Sequence, residues 1–203
     1  YENGILFVQI GKASQYPGET ICIDNDNILA AREAVNHLYK LGHRKIGYVG
    51  TDLKRIFSAD RKAGYMLALA ENNVPFQENY YLEMPQVPKN KTDRLLRFLS
   101  REDRPTAVLV SDDILAMVLE KTAFELHLQI PEDLSIISFN NSLFSKLSSP
   151  QLTSIDINSR QLGIEAASQM INHIENPGLL ATKIIVPHFM IERQSCAPPK
   201  APR

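Results

Sequence analysis

The chain has 203 residues, with 22 lysines and arginines against 23 aspartates and glutamates, so its formal net charge is −1. This balance argues against a surface that binds nucleic acid through a broad positive field. No run approaches the roughly 18 apolar residues of a membrane-spanning helix, so no membrane association is expected. Cys22 and Cys196 lie far apart and form no C-x-x-C motif, which excludes a disulfide scaffold or a structural zinc site as an interpretation.

Short apolar runs alternate with amphipathic stretches along the chain. Residues 5–10 and 20–23 are predicted strands, and a helix with apolar residues at helical spacing follows them and stops at Gly42. The cycle then repeats to the carboxyl end. Further strands are predicted at 45–50, 80–84, 106–111, 135–139, 153–157 and 182–192, and further helices at 58–73, 92–101, 114–128 and 159–175.

Two local expectations follow from this pattern. The helix over 58–73 is expected to bury one face, formed by Ala63, Met66, Leu67 and Ala70. The proline-rich residues 196–203 are expected to form a frayed tail.

Strands that alternate with helices predict βαβ units and a parallel sheet, in which ligands bind at the carboxyl ends of the strands. The residues at those ends are rich in Asp, Asn and Ser, which favours a polar ligand such as a sugar or a nucleoside. They are Gly11-Lys12, Asp24-Asn25, Gly50-Thr51, Ser111-Asp112-Asp113 and Asn140-Asn141.

Paired carboxylates follow the most apolar strand. Asp112 and Asp113 could hold Mg²⁺ in an enzyme, but a helix follows at once where such sites normally have a phosphate loop. A simpler interpretation is that Asp113 or Ser111 caps that helix, while Asp112 contacts a ligand. Both interpretations stay open at this point.

Arg61 is predicted to lie in the first turn of its helix, where a cation is unfavourable, so it needs another reason to be there. A guanidinium fork that holds ligand oxygens would supply one, in which case Arg61→Ala would leave the fold intact. The alternatives are an ion pair with Asp60 or plain exposure. The histidines have no nucleophile or metal-spaced partner, so we expect neither a catalytic residue nor a bound metal or cofactor.

Several stretches, in order along the chain, resemble the effector-domain core of LacI/GalR-type transcriptional regulators. They are the segments 24–50, 61–65, 104–116, 130–141, 149–155 and 191–195. Gly11-Lys12, the turn at 24–27 and the segment 149–156 are most similar to the maltose-operon repressor branch of that family.

The resemblance implies an α/β fold of two Rossmann-like lobes with parallel sheets, as in periplasmic sugar-binding proteins. The first lobe would comprise residues 1–43 and 156–178, and the second 44–155 and 179–198, with 199–203 as a tail. We expect the first lobe to be incomplete at its start and the DNA-binding headpiece to be absent from this chain.

Family correspondence assigns Arg61, Asp112 and Asn140 to a cleft where they hold sugar hydroxyls, with Lys12 and Asp24 as further candidates. Asn140 and Gly11 stand where many members carry an acid, so this pocket would be less negative. Aromatic platforms for a sugar ring are Phe57, Phe139 and Phe144, although Phe139 is as well placed for core packing.

The function so implied is that of the sugar-binding and dimerisation core of a cytoplasmic repressor, controlling maltose or maltodextrin genes. Its partners would be a maltose-like effector, a second copy of the chain, and operator DNA bound through the missing headpiece. Control by a protein corepressor is an alternative within the family. A periplasmic-type sugar-binding transport protein and a magnesium-dependent enzyme using Asp112 and Asp113 are the alternatives outside it.

Overall fold

The computed structural model describes residues 5–16, 18–84 and 91–200. A 3₁₀ turn at Glu78–Tyr80 precedes β4. The helices and strands, in chain order, are β1 Val8–Ile10, β2 Ile21–Asp24, α1 Asn27–Lys40, β3 Ile46–Gly50, α2 Ile56–Glu71, β4 Tyr81–Glu83, α3 Lys91–Leu99, β5 Ala107–Val110, α4 Asp113–Glu125, β6 Ser135–Phe139, α5 Leu143–Leu147, β7 Thr153–Asp156, α6 Ser159–Glu175, β8 Lys183–Ile185 and β9 Phe189–Ile191.

The chain forms two compact units, each made from two separate segments. Unit 1 comprises Tyr1–Asp26 and Ile157–Phe189, and unit 2 comprises Asn27–Asp156 and Met190–Arg203. These bounds differ from the expected lobes in residues 179–189, which include β8 and group with unit 1, and in α1, which groups with unit 2. The reason is close packing: a Cβ atom on Gly64 of α2 would lie 2.2 Å from the carbonyl oxygen of Ile28 in α1.

Unit 1 contains a three-stranded sheet in the order β1-β2-β8, with both strand pairs parallel. Leu162 of α6 packs against this sheet in a small core with Ile23 and Val186. A cavity of about 480 Å³ in the same unit is lined mainly by apolar side chains, among them Phe7, Ile21 and Ile174.

Unit 2 contains a six-stranded sheet in the order β4-β3-β5-β6-β7-β9. The pairs β3–β4, β3–β5, β5–β6 and β6–β7 are all parallel, which confirms the predicted fold class. Helices α1 and α2 pack on one face of the sheet, over Tyr48, Leu109 and Phe139. Helices α3 and α4 pack on the other face, over Val108 and Ile136. The central strands are buried on both sides, as their apolar sequences predicted.

The predicted buried face of α2 is wrong. Ala63, Leu67 and Ala70 are exposed, and of the predicted face only Met66 packs against the core. The buried face instead includes Gly64 and Ala68. The helix turns this face to the core because Gly64 allows α1 to approach closely, which a count of apolar residues does not reveal. Arg61 lies on this buried face of α2 as well.

The predicted frayed tail is also wrong at its beginning. The backbone N–H of Ala197 donates to Ser135 Oγ at 3.0 Å, and its carbonyl oxygen lies 2.9 Å from His43 Nε2. Lys200 forms an ion pair with Asp133 at 2.7 Å. These contacts pin residues 197–200 to unit 2.

Short α5 was not predicted, because five residues show too little periodicity to reveal a helix. Across the described ranges, no helix combines the length and the apolar character needed to cross a membrane.

Candidate functional site

Arg61 reaches from α2 to the carboxyl ends of β5 and β6. It is only 5% exposed; its Nε donates to Asn27 Oδ1 at 2.9 Å and its Nη1 donates to the carbonyl oxygen of Ser111 at 2.6 Å. Ser111 directly precedes Asp112, so Arg61 is anchored to the backbone one residue before that carboxylate. Since two of its hydrogen bonds support the fold, Arg61→Ala is expected to lower stability as well as affinity.

Two aromatic rings flank the Arg61 guanidinium. Its Cζ lies 3.9 Å from the centre of the Phe139 ring and 5.0 Å from that of Phe57. Phe139 is fully buried in the core, whereas Phe57 is half-buried and Phe144 is exposed on α5. Of the three candidate platforms, Phe57 is therefore the one that combines partial exposure with a position next to Arg61.

The helix dipole does not explain the placement of Arg61. Helix α2 begins at Ile56 and not at Ser58, so Arg61 lies in its second turn. The unfavourable effect of a cation falls off beyond the first turn. Arg61 is held there by Asn27, Ser111 and the Phe139 ring instead.

Asp112 takes the capping role that the sequence favoured for Asp113 or Ser111. Asp112 is the N-cap of α4, and its Oδ1 accepts from the backbone N–H of Leu115 at 2.8 Å. Asp113 is 1% exposed and accepts from the Oγ atoms of Ser138 and Ser154. The Asp112 side chain is partly exposed, so capping leaves it accessible to a ligand. The buried Asp113 is a scaffold residue.

The two asparagines after β6 differ sharply in how they are bonded. Asn141 Nδ2 donates to Asp156 Oδ2 at 2.9 Å, and Asn141 Oδ1 accepts from Arg193 Nη2. Within the part of the chain that the structure describes, the Asn140 side chain makes no hydrogen bond. Its amide can both donate and accept, so Asn140 is the free polar group at this edge of the sheet.

Both asparagines have positive φ angles, 97° for Asn140 and 45° for Asn141. Asparagine tolerates this region better than most residues, which explains the pair at a tight turn. The backbone N–H of Asn140 donates to the carbonyl oxygen of Ile155 at 2.8 Å. The turn thus holds Asn140 at the end of β6, next to the ring of Phe139 over which Arg61 lies.

Lys12 and Asp24 belong to unit 1, where they follow and end the neighbouring strands β1 and β2. The backbone N–H of Gly11 donates to the carbonyl oxygen of Ile23 at 2.8 Å, which places the two candidates at one edge of that sheet. Asp24 Oδ1 accepts from the N–H of Asn25 at 2.8 Å. The apolar cavity of unit 1 is lined by residues before β1 and by the start of β2, so it lies toward the other edge.

The sequence did not reveal the supporting role of Asn27 or Tyr48. Asn27 was interpreted only as part of a capping turn, yet it is 4% exposed and accepts from Arg61. Among the described residues, the Tyr48 and Ser111 hydroxyl oxygens are buried without a hydrogen-bond partner. Burial raises the pKa of Tyr48, so this hydroxyl keeps its proton. Buried hydroxyls on the sheet face below Arg61 had no signal in the sequence.

The arrangement in unit 2 offers a guanidinium, a carboxylate and an amide at one edge of the sheet, with an aromatic ring beside them. These groups give charge-assisted and neutral hydrogen bonds to the hydroxyl, carbonyl or ring nitrogen atoms of a small polar molecule. In the described ranges, no cluster of three His, Cys, Asp or Glu side chains is placed to hold a metal ion.

The family model described as "periplasmic binding protein-like domain" matches residues 35–196. The structure superposes on a transcriptional regulator LacI from Bacillus cereus subsp. cytotoxis with a TM-score of 0.90 and 33% identity, covering 97% of this chain and 70% of that one. The chain belongs to the LacI-type effector-binding domains. Like its relatives, this LacI-type domain is built from parallel α/β units.

The curated relatives of the LacI-type domain include the HTH-type transcriptional repressor PurR of Klebsiella pneumoniae (strain 342). It is 33% identical over 164 residues, which is 81% of this chain and 48% of that protein. A LacI family regulator from Enterococcus faecium with bound ribose superposes with a TM-score of 0.86 and 25% identity, covering 98% and 73% of the two chains. This chain spans about half the length of the curated relatives that it matches.

Proposed function

We propose that the chain is the effector-binding core of a LacI-type transcriptional repressor and that Arg61, Asp112 and Asn140 hold the effector. The observation that carries this proposal is the unbonded Asn140 amide at the strand end where Arg61 and Phe139 meet. A polar side chain left free beside the hydrogen-bonded Asn141 is suited to a ligand. Lys12 and Asp24, at the strand ends of unit 1, are proposed separately as ligand-contact residues.

The mechanism would be a shift between two conformations of the regulator that differ in operator affinity. An effector that binds one conformation more tightly shifts the population toward it. A coupling free energy of about 1–3 kcal/mol would change operator affinity roughly 5- to 150-fold. Operator DNA would be bound through the DNA-binding headpiece that we propose for the full-length regulator.

We propose a sugar as the effector, because a guanidinium, a carboxylate and an amide together suit vicinal hydroxyl groups. The Enterococcus faecium neighbour contains bound ribose. Maltose itself draws no support from the reported relatives. A purine is the second candidate, favoured by the PurR relatives and by Phe57, whose half-buried ring beside Arg61 could stack on a planar base.

The two alternatives outside the regulator family are not favoured. The relatives reported above are transcriptional regulators and repressors, not transport proteins or enzymes. A magnesium site would need both carboxylates, yet Asp112 caps α4 and both oxygens of Asp113 accept hydrogen bonds from serine residues. That leaves no paired carboxylate free for a cation.

We also propose that the regulator is a cytoplasmic homodimer. An apolar face on α4 and α5 supports a dimer contact, because large exposed hydrophobic groups on neighbouring helices commonly mark an interface. This α4–α5 face consists of Ile114, Met117, Phe124, Leu143, Phe144 and Leu147. A protein corepressor would be an additional partner, for which the same face is one available surface.

The test is a thermal-shift screen with maltose, glucose, ribose, hypoxanthine and adenosine, followed by calorimetry on each compound that raises the melting temperature. Asn140→Gly is the matched variant: glycine suits a φ of 97° and removes only the free amide. We expect it to weaken binding at least tenfold at an unchanged melting temperature. Unaltered affinity would exclude Asn140 from the site, and a response to Mg²⁺ without any response to the five compounds would favour the enzyme instead.

A further inference from the structure

Asp113 is a buried carboxylate with three hydrogen-bond donors from three different parts of unit 2. Its Oδ1 accepts from Ser138 Oγ of β6 at 2.5 Å and from Ser154 Oγ of β7 at 2.9 Å. Its Oδ2 accepts from the backbone N–H of Ser142 at 2.6 Å. Asp113 itself is the first residue of α4. One side chain therefore joins two strands, the start of α5 and a helix.

These three donors are uncharged, so the burial of this carboxylate is not offset by an ion pair with them. A buried charge is costly, and an apolar residue of similar volume would often serve packing as well or better. The hydrogen bonds of Asp113 therefore indicate that this residue is needed to hold a particular backbone conformation, and not only to fill space in the core.

The segment that Asp113 brackets is the turn that carries Asn140. Ser138 lies two residues before Asn140 and Ser142 lies two residues after it. Ser154 also accepts from the backbone N–H of Asn141 at 3.0 Å, so it joins the turn directly to Asp113. Both asparagines have positive φ angles, a conformation that persists only when the surrounding contacts hold it.

We propose that Asp113 is a positioning residue of the effector site, which fixes the direction of the Asn140 amide through Ser138, Ser154 and the Ser142 N–H. This inference rests on the proposed function, because Asn140 must contact the effector for its direction to matter. Asp113 itself is 1% exposed and does not touch the ligand. It acts by holding the turn, while Asn141 is held separately by Asp156 and Arg193.

A double-mutant cycle tests the proposal. Because Asp113→Asn can destabilise the whole unit, Ser138→Ala is the main variant, combined with Asn140→Gly. Ser195→Ala is the matched control: Ser195 is also fully buried, and its Oγ donates to the carbonyl oxygen of Ile136 at 2.6 Å, away from the turn. Both serine variants should lower the melting temperature. Affinity is measured by calorimetry for whichever of ribose and hypoxanthine gives the larger thermal shift.

We expect Ser138→Ala to weaken binding about tenfold in the wild-type background and less than twofold when residue 140 is glycine. Ser195→Ala should change affinity less than twofold in both. Equal losses from Ser138→Ala in the two backgrounds, or an equal loss from Ser195→Ala, would overturn the positioning role. If Asn140→Gly alone leaves affinity unaltered, the proposed ligand contact fails first, which separates that failure from this one.

Hydrogen exchange gives a second measurement that needs no ligand. Ser138→Ala should speed exchange of the backbone amides of 140–142 at least tenfold more than Ser195→Ala does. Equal exchange rates in the two variants would show that the Asp113 contacts do not hold the turn, and would overturn the proposal whatever the effector is.

Discussion

The guanidinium carbon of Arg61 lies 3.9 Å from the centre of the Phe139 ring, at the point where β6 ends and the Asn140 turn begins. A cation over an aromatic face is attracted by the ring's negative centre, more so when water is excluded. The same side chain bonds Asn27 of α1 and the end of β5. Arg61 thus fixes the positions of three elements around the candidate site.

Replacing Arg61 by alanine should lower both stability and affinity. The change leaves Asn27 Oδ1 and the Ser111 carbonyl oxygen without their donor, which we expect to reduce the free energy of unfolding by about 1–3 kcal/mol. Effector affinity should fall more than tenfold. The matched control is Arg44→Ala, which removes an exposed arginine stacked 3.8 Å from the centre of Tyr39. Urea unfolding and calorimetry check both effects, and intact affinity in Arg61→Ala would refute its ligand role.

Two substitutions at Asp112 should separate capping from ligand binding. Asn is as good an N-cap as Asp, so Asp112→Asn should keep the stability of α4, whereas Asp112→Ala should lose about 1 kcal/mol. Both should weaken effector binding, because each removes the carboxylate charge. If Asp112→Asn binds the effector as the wild type does, the carboxylate has no part in the site.

His43 should make stability depend on pH. Its ring lies within 3.1 Å of Ser135 Oγ and within 2.9 Å of both Thr106 Oγ1 and the Ala197 carbonyl oxygen. Burial lowers the pKa of His43 below its usual 6.5, and the hydrogen bond to Ala197 opposes this only in part.

Because the unfolded chain binds this proton near pH 6.5 and the folded chain only at lower pH, stability should fall as the pH drops through that window. In His43→Gln the fall should be shallower. His127→Gln, which removes an exposed histidine, should keep the wild-type slope. Urea unfolding between pH 8 and pH 5 measures the slopes, and parallel curves for His43→Gln and the wild type would contradict this role.

A charge on the α4–α5 face should dissociate the proposed homodimer. Leu147 is 69% exposed on α5, and Leu147→Glu would place a carboxylate among the other apolar residues of that face. Leu180→Glu is the control, because Leu180 is 86% exposed and belongs to unit 1, not to the α4–α5 face. Sedimentation velocity should show a shift toward monomer for Leu147→Glu alone. Equal behaviour of the two variants would place the interface elsewhere.

Much of unit 2 was predictable because its signals are local. The apolar runs of β5 and β6 and the glycine after α1 mark elements without reference to the rest of the chain, and Ser135–Phe139 was predicted with its exact bounds. The buried face of α2 was missed because it depends on Gly64 meeting the backbone of α1, a contact between distant residues. Similarly, Ala197 forms its hydrogen bonds with residues more than sixty positions away. These contacts are not visible in the local sequence, where the proline-rich composition suggested only a frayed tail.

The residues of the candidate site were predictable from the sequence, but the hydrogen bonds that join them were not. Strand ends indicated Asp112 and Asn140, an unexpected cation in a helix indicated Arg61, and the family resemblance indicated all three. Which carboxylate caps α4 and which one holds the turn depends on where Ser138 and Ser154 lie in space. The sequence places Asp112 and Asp113 side by side with equal chemistry, so it contains no information to separate them.

The two neighbouring asparagines differ in their hydrogen bonds, and this difference affects how the effector specificity of such a regulator can change by mutation. The Asn141 side chain is hydrogen-bonded to Asp156, while in the described part of the chain the Asn140 side chain forms no hydrogen bond. Exchanging the Asn140 side chain therefore breaks no side-chain hydrogen bond of the turn, but the φ of 97° restricts tolerated replacements to residues such as Gly or Asp. Within that small set, one substitution would change the group offered to a ligand without compensating mutations elsewhere.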